Sequence, residues 1–225
     1  LAKKSLYAIG DSCWHCHAGI GNFTLETAIR YKIPLIVWGE STAEESGKAT
    51  YYEPQKFDRL YFLNTSAKKT AKEMTGDGVT MKDLNAYVIP SQKECDQVGI
   101  RGIYLGDYMF WDDERQTEFI VDKYGWQEHD VDGTYKGYKS NGCTMTGVHD
   151  YMKFIKRGFG RATDHVSRDV RTGLLTREEG FELVKQFEPK RPEQLDYYLK
   201  ITGLTEDEFM KALKNLREGS AKNLP

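Results

Sequence analysis

Residues 33–40, with the sequence IPLIVWGE, decide the fold class. A proline opens an apolar run that ends at a glycine. Such a run, without polar alternation, is typical of a strand in a parallel sheet that is covered on both faces. A second strand is predicted at residues 100–106, with the sequence IRGIYLG. Because ligands bind at the carboxyl ends of strands in open α/β sheets, Glu40 is a candidate catalytic residue. The alternative is that the carboxylate of Glu40 caps a helix.

The segment around this first strand is predicted to hold one helix and a long insertion. Asn22 or Thr24 is a suitable cap for a helix that runs to about Tyr31. Residues 41–98 are polar and weakly periodic, which predicts an irregular insertion with short helices.

The carboxyl-terminal part of the chain is predicted to be helical. A helix over residues 114–124 is stopped by Gly125. Helices are also expected over residues 148–157 and 161–171, and capping boxes begin further helices at Thr176 and Thr205. We therefore expect an α/β region, residues 1–145, followed by a helical region, residues 146–225.

Composition excludes several classes of protein. The chain has 225 residues and a formal net charge of −2, which argues against a general nucleic-acid coat. No apolar run approaches the ~20 residues that a membrane span requires. The chain begins with LAKK, without Met and without the layout of a signal peptide. We therefore expect a cytoplasmic protein, and a chain that starts within a longer one.

Four cysteines are too few and too unevenly spaced for a disulfide scaffold. Cys13 and Cys16 form a Cys-x-x-Cys motif, whose two sulfurs can hold one metal ion. Cys143 lies on a turn and is a candidate third ligand, which suits an iron–sulfur cluster or zinc. His15 or His17 is a candidate fourth ligand for zinc. The alternatives are free thiols or a redox pair.

A basic segment spans residues 153–171, with six basic and two acidic residues. If residues from Arg161 onward form a helix, Arg161, His165 and Arg168 share one face. Arginine side chains suit carboxylates and phosphates, and glycines before the helix would let backbone amides approach an anion. Asp164 and His165 add titratable groups, although neighbours on a helix do not face each other. The alternative is a solvated charged face with internal Arg–Asp pairs. The candidate substrate-binding residues are Lys153, Lys156, Arg157, Gly158, Gly160, Arg161, Arg168 and Arg171.

Four segments together resemble a known family. They are CWHCHAGI at residues 13–20, IPLIVWGE at 33–40, VGIRGIYLGDYMFWD at 98–112, and a long motif at 147–179 that contains KFIKRGFGRATDHVSRDVR. In these segments the chain resembles the N-acetyl sugar amidotransferases of bacterial surface-polysaccharide and flagellin-sugar biosynthesis. The resemblance covers most of residues 9–212.

The resemblance implies a parallel sheet of the adenine-nucleotide α-hydrolase (PP-loop) type, present here in part. It implies that ATP, with Mg²⁺, adenylates the acetamido oxygen of a sugar and that ammonia then displaces AMP to give an acetamidino sugar. The ammonia is expected from a glutaminase through a channel subunit. The arginines would hold an anionic N-acetyl sugar or nucleotide sugar, and Glu40, Asp164 and His165 are the catalytic candidates. A homodimer is compatible with the sequence.

The chain departs from this family in one respect. The sequence contains no Ser-Gly-Gly-x-Asp-Ser phosphate-binding loop, so we expect it to be inactive alone. Two alternatives remain. One is an enzyme similar to the PP-loop tRNA-thiolating enzymes, whose three cysteines hold a [4Fe–4S] cluster, here Cys13, Cys16 and Cys143. The other is a non-catalytic fragment that binds a sugar or a partner.

Overall fold

The computed structural model describes residues 1–41, 59, 63, 67–139 and 142–223. The chain divides into two compact units, each described here by itself. Unit 1 comprises residues 1–8 and 13–111, and unit 2 comprises residues 9–12 and 112–225. The boundary after residue 145, between an α/β region and a helical region, stays a prediction.

Unit 1 is an α/β unit with a small sheet. Its described helices and strands are α1 (Ala2–Ile9), α2 (Trp14–Tyr31), β1 (Leu35–Trp38), α3 (Gln92–Val98) and β2 (Arg101–Tyr104). The two strands are parallel, with Leu35 opposite Arg101 and Trp38 opposite Tyr104. The predicted pair of parallel strands is therefore confirmed.

The two faces of β1 differ in burial. Ile36 packs in a buried cluster with Leu25 and Ala28 of α2 and with Cys95 of α3. On the other face, the side chain of Val37 is 52% exposed. The expectation of a sheet covered on both faces is therefore wrong for the described residues, because the helices that contact β1 cover only the face of Ile36.

Helix α2 begins earlier than the sequence predicts. Its N-cap is Cys13, and Asn22 lies inside the helix, where its buried side chain donates to the carbonyl of Ala86. Trp14 anchors the first turn, because its side chain is 1% exposed and its indole N–H donates to the carbonyl of Lys69 at 2.9 Å. These tertiary contacts explain why a capping rule based on Asn22 or Thr24 was wrong.

The predicted insertion at residues 41–98 lies partly outside the described residues. Its described part contains short 3₁₀ turns at Lys72–Met74 and Asn85–Tyr87, followed by α3. Met74 and Leu84 are fully buried. This part of the insertion therefore contributes to the core of unit 1.

Unit 2 is helical in its described residues, and the helices predicted from the sequence are confirmed. Its helices are α4 (Asp113–Tyr124), α5 (Thr146–Arg157), α6 (Arg161–Thr172), α7 (Arg177–Phe187), α8 (Leu195–Thr202) and α9 (Glu206–Asn215). Capping boxes begin α7 at Thr176 and α9 at Thr205, as predicted. Among the described residues, no helix combines the length and the apolar character that a membrane span needs.

Candidate functional site

Helix α6 carries the carboxyl-terminal part of the basic segment, and a carboxylate of this chain binds at the amino-terminal end of the helix. Gly158 ends α5 with a φ of +79°, and Gly160 is the N-cap of α6. The buried carboxylate of Glu188 accepts hydrogen bonds from the backbone N–H groups of Gly160 and Thr163, each at 2.7 Å. The place that the sequence predicts for an external anion is therefore taken by Glu188, which interacts favourably with the helix dipole.

The two arginines that share a face of α6 both bind carboxylates of unit 2. Arg161 makes two contacts with the carboxylate of Asp150, at 3.1 and 3.3 Å. The guanidinium of Arg168, whose side chain is 10% exposed, lies 2.5 Å from the carboxylate of Asp113. Burial opposes the ionisation of Asp113, but hydrogen bonds from Arg168 and Lys139 prevail and lower its pKa to about 2. This ion pair therefore stays charged at neutral pH.

A loop over residues 134–139 adds a buried lysine to this network. The ammonium of Lys136, 3% exposed, lies 2.9 Å from the carboxylate of Asp169 and also contacts Glu114. The ring centroids of Tyr135 and Tyr138 each lie 5.6 Å from the ammonium nitrogen. Burial of the two hydroxyl groups raises the pKa of both tyrosines, so both are neutral hydrogen-bonding groups.

His165 lies inside the same network. Its Nδ1 is 2.6 Å from the hydroxyl of Thr134. Burial, reinforced by the nearby charges of Arg161, Lys139, Lys136 and Arg168, lowers the pKa of His165 to about 2. The imidazole is therefore neutral at physiological pH, and any catalytic role would use the neutral ring.

The remaining candidate residues of the basic segment have different partners: a carboxylate of the same segment, a backbone carbonyl or a carboxylate from elsewhere in unit 2. Lys153 forms an ion pair with Asp164, so Asp164 and His165 have separate partners, as expected for neighbours on a helix. Lys156 is buried and donates to the carbonyl of Ile9 at 2.8 Å. Arg157 lies 3.4 Å from Glu218.

Arg171 differs from these residues. It lies exposed in the last turn of α6, and the described part of the chain offers it no ion-pair partner. Of the predicted anion-binding arginines, Arg171 has the charge that is most accessible to a ligand.

Glu40 lies in unit 1, two residues beyond the end of β1. Asp107 lies in a 3₁₀ turn that follows β2, so both residues are placed at the carboxyl end of the parallel pair. Desolvation raises the pKa of each carboxyl group above its ordinary value. Glu40 is one of the residues predicted from the sequence, whereas Asp107 is not.

The cysteines have different environments. Cys13 and Cys16 occupy the N-cap and the third position of α2, and positions three apart on a helix share a face. A metal ion shared by these two residues stays a prediction. Cys143 belongs to unit 2, and its grouping with the first two stays a prediction. Cys95 is buried in the apolar core beside Ile36, and burial raises the pKa of its thiol.

Neither the carboxylates that partner the basic segment nor the loop at residues 134–139, which contacts His165 through Thr134, were predicted from the sequence. The loop has the sequence TYKGYK, and its alternation of aromatic and basic residues was the available signal. The missed residues are Asp113, Glu114, Thr134, Tyr135, Lys136, Tyr138, Lys139, Asp150, Asp169 and Glu188.

Residues 132–222 match a family model that is described as "LPS biosynthesis protein WbpG-like, C-terminal domain". The matched segment includes the loop at 134–139, the basic segment and α5–α9, whereas Cys13, Cys16 and Glu40 lie outside it. The match supports a role in lipopolysaccharide biosynthesis. A search of curated proteins found no match.

Proposed function

We propose that this chain takes part in ATP-dependent amidotransfer to an N-acetyl sugar during lipopolysaccharide biosynthesis. The observation that carries the proposal is the WbpG-like match, because residues 132–222 contain most of the motif in which the chain resembles the sugar amidotransferases. A PP-loop type of sheet in unit 1 belongs to the same proposal.

The proposed chemistry replaces the oxygen of an acetamido group by nitrogen. An amide carbonyl is a poor electrophile, and adenylation of its oxygen by ATP supplies a leaving group, with release of pyrophosphate. Ammonia then adds to the imidate carbon, AMP leaves, and a proton is lost from nitrogen. A glutaminase and a channel subunit are the expected source of ammonia.

Specific residues of this chain have proposed roles in that reaction. Arg171 would bind a phosphate of the nucleotide sugar, because its charge is exposed. Glu40 would accept the proton from the attacking nitrogen, since a carboxyl group with a raised pKa is a better base. Asp107, at the same end of the parallel pair, suits Mg²⁺ or ribose hydroxyls, but the chain contains no Ser-Gly-Gly-x-Asp-Ser loop for the phosphates of ATP. We therefore assign no phosphate contact of ATP to this chain.

The test is a reaction with MgATP, ammonium and a UDP-N-acetylhexosamine, followed by mass spectrometry of the sugar and measurement of AMP. It is run with the chain alone and with a PP-loop protein from the same organism. We expect a product in which NH replaces O, with AMP, in the second reaction. If neither reaction forms this product, amidotransfer is refuted.

A metal centre at Cys13, Cys16 and Cys143 is part of the proposal. A zinc ion would have a structural role, whereas a [4Fe–4S] cluster would favour the alternative that resembles tRNA thiolation. The two cysteines at the start of α2 support such a centre by their spacing.

A further inference from the structure

Unit 2 contains a polar pocket that is separate from the α6 network. Its volume is about 260 Å³. The loop at residues 129–132, the turn at 143–144 and the first residues of α5 form its walls, together with Gln194. This volume lies below the ~300–1,000 Å³ that is typical of pockets for drug-sized ligands, so it suits a single small ring.

The shape of the pocket depends on Gly147 and Asp132. A Cβ atom at Gly147 would lie 2.6 Å from the Cβ of Asp132, so only glycine lets the two segments approach this closely. The carboxylate of Asp132 accepts a hydrogen bond from the backbone N–H of Glu193 at 3.2 Å. Asp132 is therefore held in place between α5 and the segment before α8.

The lining of the pocket is rich in hydrogen-bonding groups. Asp130 and Asp132 provide carboxylate acceptors, Thr146 a hydroxyl and Gln194 an amide. His129 Nδ1 lies 2.9 Å from the carbonyl oxygen of Asp130. Because a carbonyl oxygen only accepts hydrogen bonds, Nδ1 carries the hydrogen and donates it. Nε2 of a neutral His129 is therefore an acceptor.

The charge of the lining selects among polar ligands. Lys190 Nζ lies 3.9 Å from one carboxylate oxygen of Asp132 but is not part of the lining. The two carboxylates of the lining disfavour a phosphate, whereas hydroxyl and amide N–H groups donate readily to carboxylates. Within the described residues of unit 2, no three Cys, His, Asp or Glu ligand atoms lie within 4.8 Å of one another. A ligand with several hydroxyl or N–H donors and no negative charge on its ring fits this arrangement better than a phosphate or a metal ion.

We propose that this pocket binds the N-acetylhexosamine ring of the substrate, with Asp130 and Asp132 accepting hydrogen bonds from its hydroxyl and N–H groups. The inference rests on the proposed function, because it assigns the sugar of that reaction to a place in unit 2. The carboxylates fix the orientation of the ring.

The experiment measures binding of N-acetylglucosamine to the full chain by NMR, from the chemical shifts of backbone amides. We expect shifts at Gly147 and Thr144, and about tenfold weaker binding in Asp132→Asn, the loss expected for one charge-assisted hydrogen bond. Gln194→Ala gives a second variant, because this side chain makes no capping bond to α8. Asp122→Asn, an exposed residue of α4, is the matched control and should bind as the wild type does.

The outcomes separate the inference from the proposed function. Equal binding by wild type, Asp132→Asn and Gln194→Ala overturns the inference. The inference is also overturned if the chemical shifts of the pocket residues change on addition of inorganic phosphate or Zn²⁺ but not on addition of N-acetylglucosamine. Sugar binding that depends on Asp132, with no amidated product in the reaction above, upholds the inference and refutes the proposed function. If amidated product forms but the sugar causes no chemical-shift change at Gly147, the proposed function is upheld and the inference is refuted.

Discussion

At the residue scale, the charges of the basic segment fall into buried and exposed groups. Arg168 is buried beside Asp113, whereas Arg171 is exposed three residues later. The first arginine therefore stabilises unit 2, and the second is accessible to a ligand. The local positive charge of the segment is for the most part neutralised by carboxylates from other elements.

These different surroundings predict that one substitution lowers stability and that the other weakens ligand binding. Arg168→Ala should lower the free energy of unfolding by about 3 kcal/mol, since it leaves a buried carboxylate without its guanidinium. Arg171→Ala should change stability by less than about 0.5 kcal/mol but weaken binding of a UDP-N-acetylhexosamine by about 1–3 kcal/mol. Urea unfolding and titration calorimetry measure the two effects. Loss of binding with unchanged stability in Arg168→Ala would contradict the structural role.

His165 predicts a specific dependence of stability on pH. Its pKa is about 2 in the folded chain, whereas an unfolded histidine has a pKa of about 6.5. The unfolded state therefore binds a proton below about pH 6.5 that the folded state does not. His165 thus lowers stability by about 1 kcal/mol per pH unit as the pH falls below about 6.

His165→Asn should reduce this slope, because asparagine does not titrate and its amide can still contact Thr134. Urea unfolding at several values between about pH 4 and 7 tests the prediction. Gln186→Asn, which adds and removes no titratable group, is the control and should leave the slope unchanged. Parallel curves for wild type and His165→Asn would show that His165 is not neutral in the fold.

At the element scale, close packing of α6 against α7 depends on one glycine. Gly180 is buried in α7, and a Cβ at this position would lie 2.5 Å from Val166 Cγ1. Val166 is β-branched and buried, so its side chain has little freedom to move away. The helices approach here because Gly180 has no side chain.

Gly180→Ala should therefore destabilise unit 2 by about 1 kcal/mol. Alanine gains about 1 kcal/mol in helix propensity, but overpacking typically costs about 1–3 kcal/mol. Thermal unfolding measures the net effect. Gln186→Ala, on the exposed part of the same helix, should change stability by less than about 0.5 kcal/mol. A stabilised Gly180→Ala variant would mean that the two helices can separate without cost.

At the scale of the whole molecule, the predicted ligand set of Cys13, Cys16 and Cys143 implies that the purified chain carries a metal. Anaerobic purification followed by analysis of iron, zinc and acid-labile sulfide should find bound metal. Cys143→Ser should reduce the metal content, whereas Cys95→Ser should not, because Cys95 lies in the apolar core of unit 1. Equal metal content in wild type and both variants would refute the predicted ligand set.

Local rules predicted most elements of the fold. The capping boxes at Thr176 and Thr205 and the parallel pairing of β1 with β2 agree with the structure, since each depends on residues close in sequence or on a simple apolar pattern. The start of α2 was wrong because burial of Trp14 outweighs the preference for a polar cap. The exposed face of β1 was also missed, since an apolar run alone does not show what covers it.

The sequence by itself therefore determined the helical character of unit 2, the parallel strands of unit 1 and the family resemblance of the basic motif. Only the tertiary structure decided the partners of the charges. Arg168 of α6 meets Asp113 at the start of α4, and Glu188 at the end of α7 caps α6, so each carboxylate comes from another helix. An arginine has the same local signature whether it binds a buried carboxylate or an external anion. The carboxylate that reaches it is chosen by the packing of segments far apart in the sequence.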